Sequence, residues 1–217
     1  MGNLHAGHLS LVKEARKIAD RVVASIFVNP AQFGPGEDFE RYPRDLDRDL
    51  GLLAGQGADA VFAPSVEEMY PRPPVVEISF SGLERLLCGA SRPGHFGGVG
   101  LVVSKLLNIV QPEVAVFGQK DAQQALLIRR LVADLDMPVT IDVAPTVREA
   151  DGLAMSSRNA YLAPAERRAA PVLYRALLEA SDAIAGGERD PSAVTGIIRE
   201  VVGTEPLLDL EYAECVR

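Results

Sequence analysis

Strands alternating with amphipathic helices predict an α/β fold, a doubly wound parallel sheet over residues 1–146 with a smaller α+β domain over residues 147–217. Three observations carry this expectation. Residues 21–28 form a continuous apolar, β-branched run, as in a parallel strand covered on both faces. Helix-spaced and strand-like apolar patterns then alternate as far as Pro145. Beyond it the composition turns polar, at Arg148-Glu149-Ala150-Asp151-Gly152 and Met155-Ser156-Ser157-Arg158-Asn159, which places a boundary near residue 146.

Taken in order, Leu4, Leu11, Val12, Ala15, Ile18 and Ala19 recur at helical spacing and predict a helix over residues 7–19. The strand at 21–28 follows, then a loop, Asn29-Pro30-Ala31-Gln32-Phe33-Gly34-Pro35-Gly36. Leu46, Leu50 and Leu53 mark a second helix, with Asp45, Asp47 and Asp49 on a solvated face, and residues 58–63 form the next strand. Residues 75–80 read as a short strand or extended segment and 92–98 as a loop. A helix is expected at 99–110, a strand at 113–117, a helix at 122–135 and a strand at 139–144. Helices at 164–185 and 191–202 and a strand at 208–216 complete the chain.

The composition narrows the function classes. A formal charge of -8 argues against non-specific nucleic-acid binding but leaves room for phosphate ligands, because a few local cations can dominate a cleft. The apolar runs are far too short to span a bilayer. The polar, glycine-containing start does not read as a signal peptide. The two cysteines, Cys88 and Cys215, have no metal or redox spacing; Cys88 beside Leu86 and Leu87 reads as a buried small hydrophobe. A cytoplasmic protein is expected.

In a doubly wound sheet, ligands bind at the carboxyl ends of the strands, so the chemistry is sought in the loops there. The first segment, Met1-Gly2-Asn3-Leu4-His5-Ala6-Gly7-His8, carries an H-x-G-H signature at a helix start. Gly7 permits close approach, the free N–H groups attract phosphate, and His5 and His8 share one helix face. Either imidazole can donate a proton or a hydrogen bond to charge developing on phosphorus. The plainer alternative is two ordinary histidines at a helix cap. Gly118-Gln119-Lys120-Asp121 lies where a strand meets a helix; Lys120 is a point charge for a triphosphate, and Asp121 either caps the helix or touches a ribose. Gln124 lies one turn beyond Lys120. Ser156, Ser157 and Arg158 suit β- and γ-phosphates, or form a plain turn. Gln32 suits a ligand with carboxylate and hydroxyl groups. Asn29 and His95 join it as loop candidates, and Asp49 is a candidate magnesium ligand.

Together these segments closely resemble the pantothenate synthetase (pantoate–β-alanine ligase) family. The matching pieces are the Met1 to His8 segment, Ser25-Ile26-Phe27-Val28-Asn29-Pro30-Ala31-Gln32-Phe33, Tyr42-Pro43-Arg44, Ser91-Arg92-Pro93-Gly94-His95-Phe96, Phe117-Gly118-Gln119-Lys120-Asp121-Ala122-Gln123-Gln124 and Asp151 through Leu162. H-x-G-H alone indicates only the nucleotidyltransferase superfamily; the set, in order over essentially the whole chain, is specific to one enzyme. The resemblance implies a Rossmann-like nucleotide- and pantoate-binding domain and a C-terminal lid. It further implies a two-step ligation: ATP and (R)-pantoate give pantoyl adenylate and pyrophosphate, and β-alanine then displaces AMP. Magnesium accompanies ATP, and a cytoplasmic homodimer is implied.

By the same resemblance, Met1, Gly2, Asn3, Leu4, His5, Ala6, Gly7 and His8 line the ATP site with Gly118, Gln119, Lys120, Asp121, Val147, Met155, Ser156, Ser157 and Arg158. His8 is the proton donor, with His5 and Lys120 also catalytic. Gln32, Gln124, Asn29 and His95 hold pantoate or β-alanine. The chain departs from the family at Gln119, where Glu is usual. The family also has a strand and a Pro-Thr pair before Met1 and further sheet beyond Arg217, so the chain reads as clipped at both ends. A catalytically impaired nucleotide-binding fragment, or another H-x-G-H adenylyltransferase, is the alternative.

Overall fold

The computed structural model describes residues 2–216. They form two compact units that divide between Thr146 and Val147. In the first, α1 (Ala6–Ile18) leads to β1 (Val23–Ser25), α2 (Leu46–Gly55), β2 (Ala60–Phe62), α3 (Val66–Met69), α4 (Cys88–Ser91) and α5 (His95–Val110). β3 (Val114–Gly118), α6 (Ala122–Asp134) and β4 (Thr140–Ala144) follow. Local chemistry starts the helices: Asp45 accepts the Arg48 N–H at α2, and Ser65 and Glu68 form a capping box at α3.

The strands pair in parallel, as an α/β chain requires. Val23 lies opposite Ala60 and Ser25 opposite Phe62, while Val114 lies opposite Thr140 and Gly118 opposite Ala144. The expected single sheet is two separate two-stranded ladders among the described residues. A continuous sheet needs a strand between them, and these residues supply none. The strand read over 21–28 is correspondingly short, and Val23 is 46% exposed rather than covered on both faces. Residues 75–80 pair with no strand.

The two ladders share a core on one side. Phe27, two residues past β1, packs with Val99, Val102, Val103 and Leu107 of α5 and Ile128 and Val132 of α6, together with Phe117 and Ile141 of β3 and β4. A second cluster joins Leu4 and Val12 to Val22 and Leu53. Its makeup corrects the expected face of α2: Leu46 and Leu50 are exposed, whereas Asp49 and Leu53 are buried. Ile18, in the apolar pattern that marks α1, is exposed.

The second unit contains α7 (Pro164–Ala169), α8 (Val172–Ala185) and α9 (Pro191–Gly203). The helix read over 164–185 is split at Pro171, which has no N–H to give and disfavours helix before it. Val172, Ala176, Val201 and Val202 close the α8–α9 pair. The strand expected over 208–216 does not form. Leu208 and Leu210 pack on that helical core instead, and Arg199 donates to the Ala213 carbonyl at 3.2 Å. A strand needs a ladder partner, and here the segment meets helices.

Candidate active site

Gly2 and Asn3 turn the chain into α1 with φ of 117° and 51°, a left-handed pair that glycine and asparagine tolerate best. His5 then caps the helix. Its Nδ1 accepts the Gly7 N–H at 3.1 Å, and the Nδ1 of His8 accepts the His5 N–H at 3.3 Å. The ring centroids lie 4.0 Å apart. With Nδ1 accepting, a neutral ring of either residue carries its proton on Nε2, away from the backbone. Burial foremost, then the charges of His5 and Lys120, holds His8 far below the ordinary histidine range, at about 3. His8 is therefore neutral at pH 7, with the Nε2–H as its donor. The plainer cap reading is realised, and capping uses Nδ1 only.

Lys120, on the turn after β3, lies near enough to lower the His8 pKa, and Leu11 of α1 approaches the Gly118 backbone. The Lys120 ammonium is 3.2 Å from Asp121 Oδ1, and its side chain is 39% exposed. Asp121 takes the N-cap position of α6 without a side-chain cap bond. Thus Gly118, Gln119, Lys120 and Asp121 gather at the carboxyl end of β3, and Gln124 sits half-buried on the first turn of α6. Met1 lies outside the described residues.

The loop after β1 is built around Asn29, which is 1% exposed. Its Nδ2 donates to Gln32 Oε1 and the Gly98 carbonyl, both at 3.1 Å, and its Oδ1 accepts from Tyr70 Oη at 2.8 Å and the Ala31 N–H at 3.2 Å. Both donors and both acceptor positions of its side chain are used within the protein, so Asn29 shapes the loop. Behind it, Arg92 pairs with Glu37 through Nε–Oε1 at 2.8 Å and Nη2–Oε2 at 2.6 Å. This fork holds the Glu37 carboxyl below its usual range. Arg92 Nη1 also meets His95 Nε2 at 3.0 Å; a guanidinium only donates, so His95 Nδ1 donates to the Gln32 carbonyl at 2.8 Å. Gln32 is thereby fixed at both its backbone and its side chain, while His95 is buried as a support.

Two expectations on other residues change. Asp49 is 0% exposed rather than solvated; its Oδ1 accepts the Leu4 N–H at 2.7 Å, and its Oδ2 lacks a hydrogen-bond partner. A cavity of about 230 Å³ lies beside it, between Gly2, Phe27, Arg44, Leu46 and Ser65, too small for a nucleotide. Among the described residues no three His, Cys, Asp or Glu side chains gather to hold a metal. Cys88 is half-buried, and its Sγ lies 3.3 Å from Gln123 Oε1. Gln123 also donates to the Leu83 and Leu86 carbonyls, a tether the sequence did not signal. Asp49 had one signal: it stands four residues before Leu53 on the same helical face.

In the second unit, Met155 N–H donates to the Val147 carbonyl at 3.0 Å, closing a turn with an Arg148–Ala154 bridge. Arg167 clamps that turn through Glu149 at 2.7 Å and Asp151 at 2.6 Å. Ser156 caps the following turn by accepting the Arg158 N–H at 3.2 Å; Ser157 is buried and Arg158 exposed. Only Arg158 of the three is thus presented openly to solvent.

The family model for pantoate-beta-alanine ligase matches residues 1–217. The chain belongs to the pantoate-beta-alanine ligase family. A pantothenate synthetase of Thermoanaerobacter sp. (strain X514) is 56% identical over 216 residues, which cover 100% of this chain and 76% of that relative. One from Moorella thermoacetica is 58% identical over 212 residues, covering 98% and 75%. The crystal structure of the Thermus thermophilus pantothenate synthetase superposes with a TM-score of 0.94 at 52% identity, over 98% of this chain and 77% of that one. A Francisella tularensis pantoate-beta-alanine ligase, complexed with beta-gamma ATP and beta-alanine, gives 0.80 at 38% identity, over 93% and 75%. For a pantoate-beta-alanine ligase family member, the Gln32 loop after β1 and the Gly118 to Asp121 turn after β3 lie where an α/β sheet binds its ligands.

Proposed function

We propose that the chain joins (R)-pantoate to β-alanine through a pantoyl adenylate. In the first step a pantoate carboxylate oxygen attacks the α-phosphorus of ATP and pyrophosphate leaves. In the second the β-alanine amine attacks the acyl carbon, AMP leaves with the bonding pair, and the amine's proton passes to solvent. The observation that carries this reading is the His5–His8 pair at the start of α1, each Nδ1 tied to backbone, with Lys120 close enough to depress His8. Attack of one anion on another is opposed by charge. Two Nε2–H donors, the α1 N-terminus and the Lys120 ammonium act on the charge that develops on phosphorus. The backbone from Gly2 to Gly7 and that from Gly118 to Asp121 contact ATP in this reading.

Gln32 and Gln124 recognise pantoate, with His95 setting Gln32 from behind; Asn29 leaves the set of ligand contacts. In the second unit, Val147, Met155, Ser156, Ser157 and Arg158 are proposed as ATP contacts on the sequence resemblance. Among the described residues no three His, Cys, Asp or Glu side chains gather around one point, and Oδ1 of Asp49 already accepts the Leu4 N–H. Magnesium enters this reading as part of the MgATP substrate. A cytoplasmic homodimer is included in this reading, and light scattering reads the mass. The test of the reaction is pyrophosphate exchange into ATP that requires pantoate, then AMP release that requires β-alanine. Loss of both in folded protein overturns the reading.

A further inference from the structure

We propose that Arg48 and Asp49 are positioning residues for adenylation, setting the H-x-G-H cradle through Leu4 and Asn3; this rests on the proposed use of that cradle. Both side chains come from α2, more than forty residues away in sequence. Asp49 Oδ1 accepts the Leu4 N–H at 2.7 Å, and Arg48 Nη2 donates to the Leu4 carbonyl at 3.1 Å. Arg48 Nη1 adds a bond to Asn3 Oδ1 at 3.3 Å. Adjacent residues of one helix therefore hold both backbone groups of a single residue, while the Leu4 side chain is buried among Val12, Val22 and Leu53.

The position held is the one that matters for the imidazoles. Gly2 and Asn3 are both left-handed, a conformation that costs an asparagine free energy unless its surroundings impose it. His5, next after Leu4, caps α1, so a shift of Leu4 carries both rings with it. Burying a carboxylate is expensive and an apolar residue would pack there more cheaply. Its use is legible in the bond it makes: a carboxylate fixes an N–H that faces the core, and Arg48 Nη1, 3.6 Å from Oδ1, offsets the charge. A misplacement of about 1 Å at reacting groups can cost on the order of a hundredfold in rate.

The experiment compares the full chain with Arg48→Met, Asp49→Asn and Asp49→Ala. It measures pantoate-dependent ATP–pyrophosphate exchange per folded protein, its magnesium dependence, melting temperature and hydrogen exchange at the Leu4 amide. Asp49→Asn keeps an acceptor for Leu4 and is expected to stay within about threefold of the parent, with unchanged magnesium dependence. Arg48→Met and Asp49→Ala should lower kcat about tenfold or more, leave the pantoate KM within about twofold, and speed Leu4 amide exchange. Arg48 is half-exposed, so Arg48→Met decides the matter if Asp49→Ala does not fold. Unchanged kcat in Arg48→Met overturns the proposal, as does a raised magnesium requirement in Asp49→Asn, which would make Asp49 a metal ligand. If the parent itself shows no exchange, the reaction assignment fails, and Leu4 amide protection still tests the clamp.

Discussion

Gly98 of α5 rides directly on Ala31: a Cβ at Gly98 would stand 2.0 Å from the Ala31 carbonyl oxygen. The loop that carries Gln32 is therefore placed by backbone against backbone. Gly98→Ala is expected to cost about 3 kcal/mol, and more where the loop cannot move aside. Chemical denaturation reads the loss, and pantoate KM in the folded fraction should rise. Gly51, in the interior of α2, has open space at the same position. Gly51→Ala should raise stability by about 0.5–1 kcal/mol, and a loss there would contradict the open geometry.

Asn29 gives the sharpest separation of structure from chemistry. Replacing it with Ala leaves the Tyr70 hydroxyl and the Gly98 carbonyl short of partners in a buried place. A loss of about 3 kcal/mol is expected, from more than one unmade bond. Urea unfolding checks it; a loss near zero with abolished pantoate binding would return Asn29 to the ligand contacts.

His8 predicts a pH dependence. Its folded pKa is depressed from the ordinary 6.5 to about 3, so the unfolded chain binds a proton that the folded chain refuses. Stability on this account is full above pH 6.5 and falls as the pH drops from there towards 3. Unfolding midpoints of the parent and His8→Gln, compared at steps between pH 7 and 4, should converge as the pH falls. A constant gap between them would remove the depressed pKa. His8→Ala should also lose pantoate-dependent exchange.

Arg167 joins Glu149 and Asp151 and so braces the turn from which Met155 to Arg158 emerge. Arg167→Met should raise the KM for ATP several-fold and leave the KM for pantoate near the parent value. Equal changes in both constants would show a general loosening instead.

Lys120→Ala should lower the exchange rate by about tenfold or more while changing pantoate KM little, because its charge acts on phosphate. Steady-state kinetics with each substrate varied in turn measures the split.

Much of this was legible in sequence because it is local. The α1 start, the parallel strands and the turn after β3 follow from periodicity and from the residues that begin and end helices. The Gln32 loop was located by composition, yet the role of Asn29 was not, since its partners Tyr70 and Gly98 lie far along the chain. For Asp49 the charge it shares with Asp45 and Asp47 points to solvent while its spacing from Leu53 points to the core, and its partner Leu4 lies outside any local pattern. The strand expected at 208–216 failed for a similar reason. Alternation proposes a strand, but only a neighbouring strand makes one.

In the proposed reaction, the imidazoles that face the chemistry also begin the helix that supports it. A substitution at His5 or His8 then removes a reacting group and unfastens the first turn of α1 together. Under that proposal drift at these two positions is opposed twice over, once by catalysis and once by folding, and a variant screened only for solubility will already be filtered for part of the proposed site.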